Sequence, residues 1–90
     1  MADDSIHETT MRELLDSGSV RAIAVVAQGD AWAVQVEVGT RWRSLRSARE
    51  PVRVWKSLDR LARWLKDDIG IVEWSTDARL YTPVQRSVVE

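Results

Sequence analysis

Ninety residues provide one domain with a single core and little to spare, and a chain that is 44% hydrophobic and 30% charged is not globally disordered. A formal charge of −1 excludes a protein that holds nucleic acid or acidic membrane through bulk basicity. The absence of cysteine excludes a disulfide framework, a thiolate nucleophile and cysteine-ligated zinc or iron–sulfur, and a single histidine, His7, points away from a histidine metal site.

The chain opens with MADDSIHETT, which is acidic and lacks the basic-then-apolar layout of a secretion signal. No apolar run approaches the ~20 residues that span a bilayer. A cytoplasmic protein with no membrane contact and no cofactor is expected. Residues 1–9 read as a flexible leader. Thr10 and Glu13 then stand in the S/T-x-x-E spacing of a capping box. Met11, Leu14 and Leu15 form one apolar stripe and Gly18 a stop, so a short helix is predicted that has to dock on a sheet to persist.

VRAIAVVA at 20–27 is apolar and β-branched almost throughout, the pattern of a strand buried on both faces. Gln28, Gly29 and Asp30 supply a turn. AWAVQVEV at 31–38 alternates cleanly, with Trp32, Val34, Val36 and Val38 on one face and Gln35 and Glu37 on the other. The two segments form a β-hairpin. After Gly39 and Thr40, residues 41–48 read as a third strand. Arg41, Arg43 and Leu45 share one of its faces and Trp42, Ser44 and Arg46 the other.

Pro51 opens a fourth, short strand through Val52, Val54 and Trp55. Ser57 is placed to cap a helix, and Asp59 puts an anion in its first turn. Leu58, Leu61, Ala62, Leu65 and Ile69 recur on one helical face, Trp64 lies on its flank, and Gly70 ends it. A strand resumes at 71–74, and residues 83–90 read as a flexible tail. The expected class is α+β, a single domain over 10–82 in the order α-β-β-β-β-α-β. Its sheet is expected to be largely antiparallel and covered by one main amphipathic helix.

No residues assemble a catalytic constellation, and a non-enzyme is expected. Asp67 and Asp68 are consecutive, so on a helix their side chains diverge by about 100°. Ser57 has no histidine near it in sequence and is explained as a cap. Neither G-x-G-x-x-G nor Walker spacing is present to hold a phosphate.

Charge, by contrast, is strongly polarised. Residues 41–56 carry Arg41, Arg43, Arg46, Arg49, Arg53 and Lys56 against Glu50 alone, a net of +5, whereas residues 1–17 carry a net of −4. The basic strip also bears Trp42 and Trp55, two of five tryptophans in a chain with no phenylalanine. Trp32 and Trp74, among apolar neighbours, read as core. For Trp42 and Trp55 three readings stand open. Cations interleaved with rings suit single-stranded nucleic acid; arginine and tryptophan are typical anchors of protein interfaces; and arginine stems can lie over tryptophan rings within one chain. The binding residues on this reading are Arg41, Trp42, Arg43, Arg46, Arg49, Arg53, Trp55 and Lys56. They would form a protein-binding strip with a homodimer as its simplest form, or alternatively a DNA- or RNA-binding one.

Two segments resemble a known family: Arg12-Glu13-Leu14-Leu15-Asp16-Ser17-Gly18-Ser19-Val20-Arg21, and Lys56-Ser57-Leu58-Asp59 followed by Trp64-Leu65-Lys66-Asp67-x-x-Gly70-Ile71-x-x-Trp74. They are similar to the small ParC-type partition-associated proteins of plasmids and integrative elements, over roughly residues 11–81. The resemblance implies an accessory role beside a ParA-type ATPase and a centromere-binding protein in stable inheritance of mobile DNA. It carries over no catalytic residues.

Overall fold

A computed structural model describes residues 5–82. The chain runs β1 (Ser5–Ile6), α1 (Glu8–Asp16), β2 (Val20–Gln28), β3 (Ala31–Val38), β4 (Arg41–Leu45), β5 (Val54–Trp55), α2 (Leu58–Arg63) continuing as a π-helix (Trp64–Ile69), then β6 (Ser75–Asp77). This is the expected α+β domain in nearly the expected order.

β3 is the central strand. β2 pairs with it antiparallel from Gln28↔Ala31 to Val20↔Val38. On its other edge it is shared: β4 takes the end from Gln35 to Val38, and β5 takes Trp32 and Ala33. Two-residue loops, Gly29-Asp30 and Gly39-Thr40, join β2 to β3 and β3 to β4. In each the glycine comes first with positive φ, +63° and +64°, the geometry that lets a tight hairpin follow the twist of its strands.

The sheet is mixed rather than largely antiparallel. The helical connection after β5 returns the chain across the sheet, so β6 enters beside β2 in parallel, and β1 lies parallel to β4 on the far edge. The resumed strand starts at Ser75, not in 71–74, because that stretch has other work. The Ile71 N–H donates to the Leu65 carbonyl at the helix end (2.8 Å), and Ile71 and Trp74 pack inward. The third strand ends at Leu45 and the fourth is only Val54–Trp55.

The expected leader also changes. Ile6 is buried against the core and pairs with Leu45, so β1 belongs to the fold; two residues carry no periodicity by which a strand could be foreseen. The first helix begins at Glu8, with the His7 carbonyl accepting from Met11 N–H (3.0 Å) and no side-chain cap, so the Thr10 capping box is not formed. Residues 1–4 and the expected tail at 83–90 lie outside the described residues.

The main helix and the short first helix both dock on the sheet as expected, and both lie on the same face. Met11 of α1 and Leu61 and Leu65 of the second helix are fully buried with Ile23, Val25, Val34, Val36 and Leu45. Ser57 caps α2 as expected, accepting from Arg60 N–H (3.2 Å). The turn to π geometry at Trp64 brings residues five apart onto one side, so Trp64 and Ile69 both pack on the core. Leu58, the expected first member of the apolar stripe, is instead exposed. If both helices sit on one face, truncations should separate the faces. Leu65→Ala should cost about 2–5 kcal/mol in urea unfolding, and Val54→Ala, on the opposite face, within about 1 kcal/mol.

Candidate partner-binding face

Strand geometry divides the basic strip. Successive side chains alternate between faces, so register assigns each residue a side. Arg43 lies opposite Val36 and Arg41 opposite Val38, on the helix-covered side at its rim. Trp42 lies opposite Glu37 and Ser44 opposite Gln35, on the uncovered side. Arg46, one step beyond β4, reaches the same uncovered side, where its guanidinium donates to Ser5 Oγ (3.4 Å). The eight residues therefore do not form one surface.

Three of them are spent inside the chain. Arg53 lies 4.4 Å from the centre of the Trp55 ring and 5.0 Å from that of Trp64, while the two rings stand 5.0 Å apart. Its guanidinium also pairs with Glu8 Oε1 (3.3 Å), and Glu8 Oε2 pairs with Arg12 (2.7 Å), which donates on to the Asp68 carbonyl (3.1 Å). One cation thus ties α1, β5 and the second helix together. Lys56 donates to both carboxylate oxygens of Asp30 (2.9 Å each) at the β2–β3 turn and holds that carboxyl below its usual range. The intramolecular reading is the observed one for Arg53, Trp55 and Lys56.

Trp42 is the exception. It is 42% exposed on a face that no described element covers. The centre of that face is low: Ala22 and Ala24 of β2 and Ala31 and Ala33 of β3 line it. Ala33 is only 1% exposed although no described element lies over it, because Val26, Gln35 and Val54 stand around it. Arg43 and Arg49 make no ion pair among the described residues, and Arg49 lies in the exposed loop after β4.

On the β6 side the face deepens into a groove of about 450 Å³ lined by Val26, Ala27, Gln28, Gln35, Asp77, Arg79 and Leu80. Arg79 pairs with Asp77 (2.6 Å), and the Arg79 backbone N–H donates to the same carboxylate (3.0 Å). The hydrogen bond from the Arg79 side chain, helped by that N–H, lowers the Asp77 carboxyl from 3.8 to about 2. Leu80, 76% exposed, forms the outer lip. Tyr81 turns back to stack on Trp32, ring centres 4.9 Å apart, which anchors the segment at the end of the hairpin.

Leu80, Val26 and the alanine floor were not picked out as site residues from sequence. The signal for the floor was the small or polar half of alternating β3; β2, expected to be buried on both faces, instead has helices over Ile23 and Val25 and no described element over Ala22, Ala24 and Val26. For Leu80 no signal existed, because its place depends on where β6 joins the sheet. Among the described residues, no three histidine, cysteine, aspartate or glutamate side chains gather to share a metal ion, and no helix is long and apolar enough to cross a membrane. No family model matches the chain, and neither a curated protein nor a solved structure matches it.

The Asp77–Arg79 lip gives a pH test. A carboxyl depressed by its partner stabilises the fold fully above the ordinary value of 3.8, and that contribution is lost as pH falls through about 2. A carboxyl-carbon NMR titration should find Asp77 ionised at pH 3, and Arg79→Gln should return its midpoint towards the ordinary range.

Proposed function

We propose that this chain is a non-catalytic binding protein working through the uncovered face of its sheet, with Trp42 as the anchor, Arg46 on the same side, and Arg41, Arg43 and Arg49 at the rim around the β4 end. The observation that carries this reading is the exposure of Trp42 on a sheet face with no described helix over it. Large exposed aromatics beside arginine are the groups that dominate protein interfaces. A sheet face left without a second layer is a surface that association can cover. Arg53, Trp55 and Lys56 serve as scaffold, since their partners lie within the chain.

The resemblance of residues 11–81 to ParC-type partition proteins supplies the setting. We place the protein as an accessory factor in stable inheritance of mobile DNA, contacting a ParA-type ATPase or a centromere-binding protein. Titration calorimetry of this chain against each candidate should show that one binds. Trp42→Ala should then weaken it at least tenfold, about 1.4 kcal/mol or more. Leu58→Ala, exposed on the helix side, should leave binding within about twofold. Binding by neither candidate, or loss through Leu58 rather than Trp42, would contradict the reading.

A second reading, nucleic-acid binding at the same β4 end, is favoured by Arg43 and Arg49, which have no ion pair among the described residues. It requires a mixed-sequence oligonucleotide to bind at low salt, and Arg43→Ala to reduce the salt slope by about one. The absence of any low-salt binding would remove it.

A further inference from the structure

Trp42 and the groove at Val26 and Leu80 lie on the same uncovered face, and this has a geometric consequence. Trp42 sits on β4 opposite Glu37, whereas the groove begins on β2 at Val26, opposite Ala33. Four residues along a strand is about 13 Å and two strand spacings about 10 Å. The ring therefore stands roughly 16 Å diagonally from the groove and cannot fill it in its own molecule. A surface with a projecting ring at one corner and, at the opposite corner, a recess walled by Val26 and Leu80 with polar groups around them is complementary to itself when two copies meet face to face. Each copy then presents to the other the feature it lacks, as a two-fold interface requires.

We propose that a second copy of this chain packs on the uncovered face, with Trp42 of each copy inserted between Val26 and Leu80 of the other. The inference rests on the reading of this face as the binding surface and names its occupant. Three observations support the second copy. The low alanine floor permits the close approach of one sheet to another, which pack about 10 Å apart. The chain carries a net charge of only −1, so two copies do not repel strongly. The face is five strands wide in its main order, about 19 Å by 26 Å or roughly 500 Å² in projection. Standing side chains raise that towards the ~800 Å² per partner of an ordinary stable interface.

The test is complementation by mass. Sedimentation equilibrium of the full chain should give a dimer that dissociates on dilution. Trp42→Ala removes both rings, and Leu80→Arg blocks both grooves at an exposed position that leaves the core untouched. Each variant alone should be a folded monomer by circular dichroism, with dimer affinity reduced at least tenfold. Mixed one to one, they should recover dimers, because the Leu80→Arg copy still offers its ring to the intact groove of the Trp42→Ala copy.

A wild-type monomer at every concentration overturns the inference, as do a dimer indifferent to both changes and a mixture that stays monomeric. A monomer that dimerises only after removal of residues 83–90 also overturns it, by giving the groove to the chain's own last segment. If the wild type is monomeric and Trp42→Ala still weakens the ATPase or centromere-binding partner, the face keeps its role and only the second copy is lost.

Discussion

Everything in this molecule hangs on β3, where a strand's period of two is imposed on the sequence Ala31–Val38. Trp32, Val34 and Val36 turn towards the helices and are buried there, while Ala33, Gln35 and Glu37 turn the other way. Because β2, β4 and β5 all register on this one strand, they inherit its division. Trp55 falls opposite Trp32 on the covered side and Val54 opposite Ala33 on the uncovered side. Both helices then bury their apolar residues on the valine face, and the alanine face has no second layer among the described residues.

Arg53 shows how the covered side is held at its margin, where the short β5 would otherwise be weakly fixed. Its stem and guanidinium stack on Trp55 and Trp64, and its charge meets Glu8 in the first turn of α1, the end of a helix that favours an anion. The ion pair alone is partly exposed and worth at most ~1 kcal/mol, so the stacking on two rings accounts for most of the anchoring. With this residue committed to structure, Trp42 and Arg46 are left on the uncovered side and Arg41 and Arg43 at the rim of the covered one.

Much of the fold was legible in the residues because its signals are local. The alternation of 31–38, the glycines leading two tight turns, and Ser57 and Gly70 bounding a helix each specify their element within a few positions. What escaped depends on distant pairing. β1 exists because Leu45 offers Ile6 a buried neighbour, and β6 begins late because Ile71 is needed to close the helix. The candidate strip could be listed from composition, but its layout could not be read there. The run from Arg41 to Lys56 is one strip in sequence, yet the pleat sends Trp42 and Arg46 to one side and Arg41, Arg43, Arg53 and Trp55 to the other. Leu80, at the groove proposed to take Trp42 of a second copy, lies some forty positions away from that ring in sequence.

The central claim is that association takes place on the uncovered face, and alanine methyl groups report it directly, since they lie both on that face and on the helices. Ala24 and Ala33 point to the uncovered side, and Ala62 lies in α2 over the covered one. Methyl NMR spectra of alanine-labelled protein should be followed over a concentration series and then with the partner added. If the uncovered face is the working face, the Ala24 and Ala33 methyl signals shift on association and that of Ala62 stays in place. Movement of Ala62, with Ala33 unmoved, would put the partner on the helices and contradict the claim.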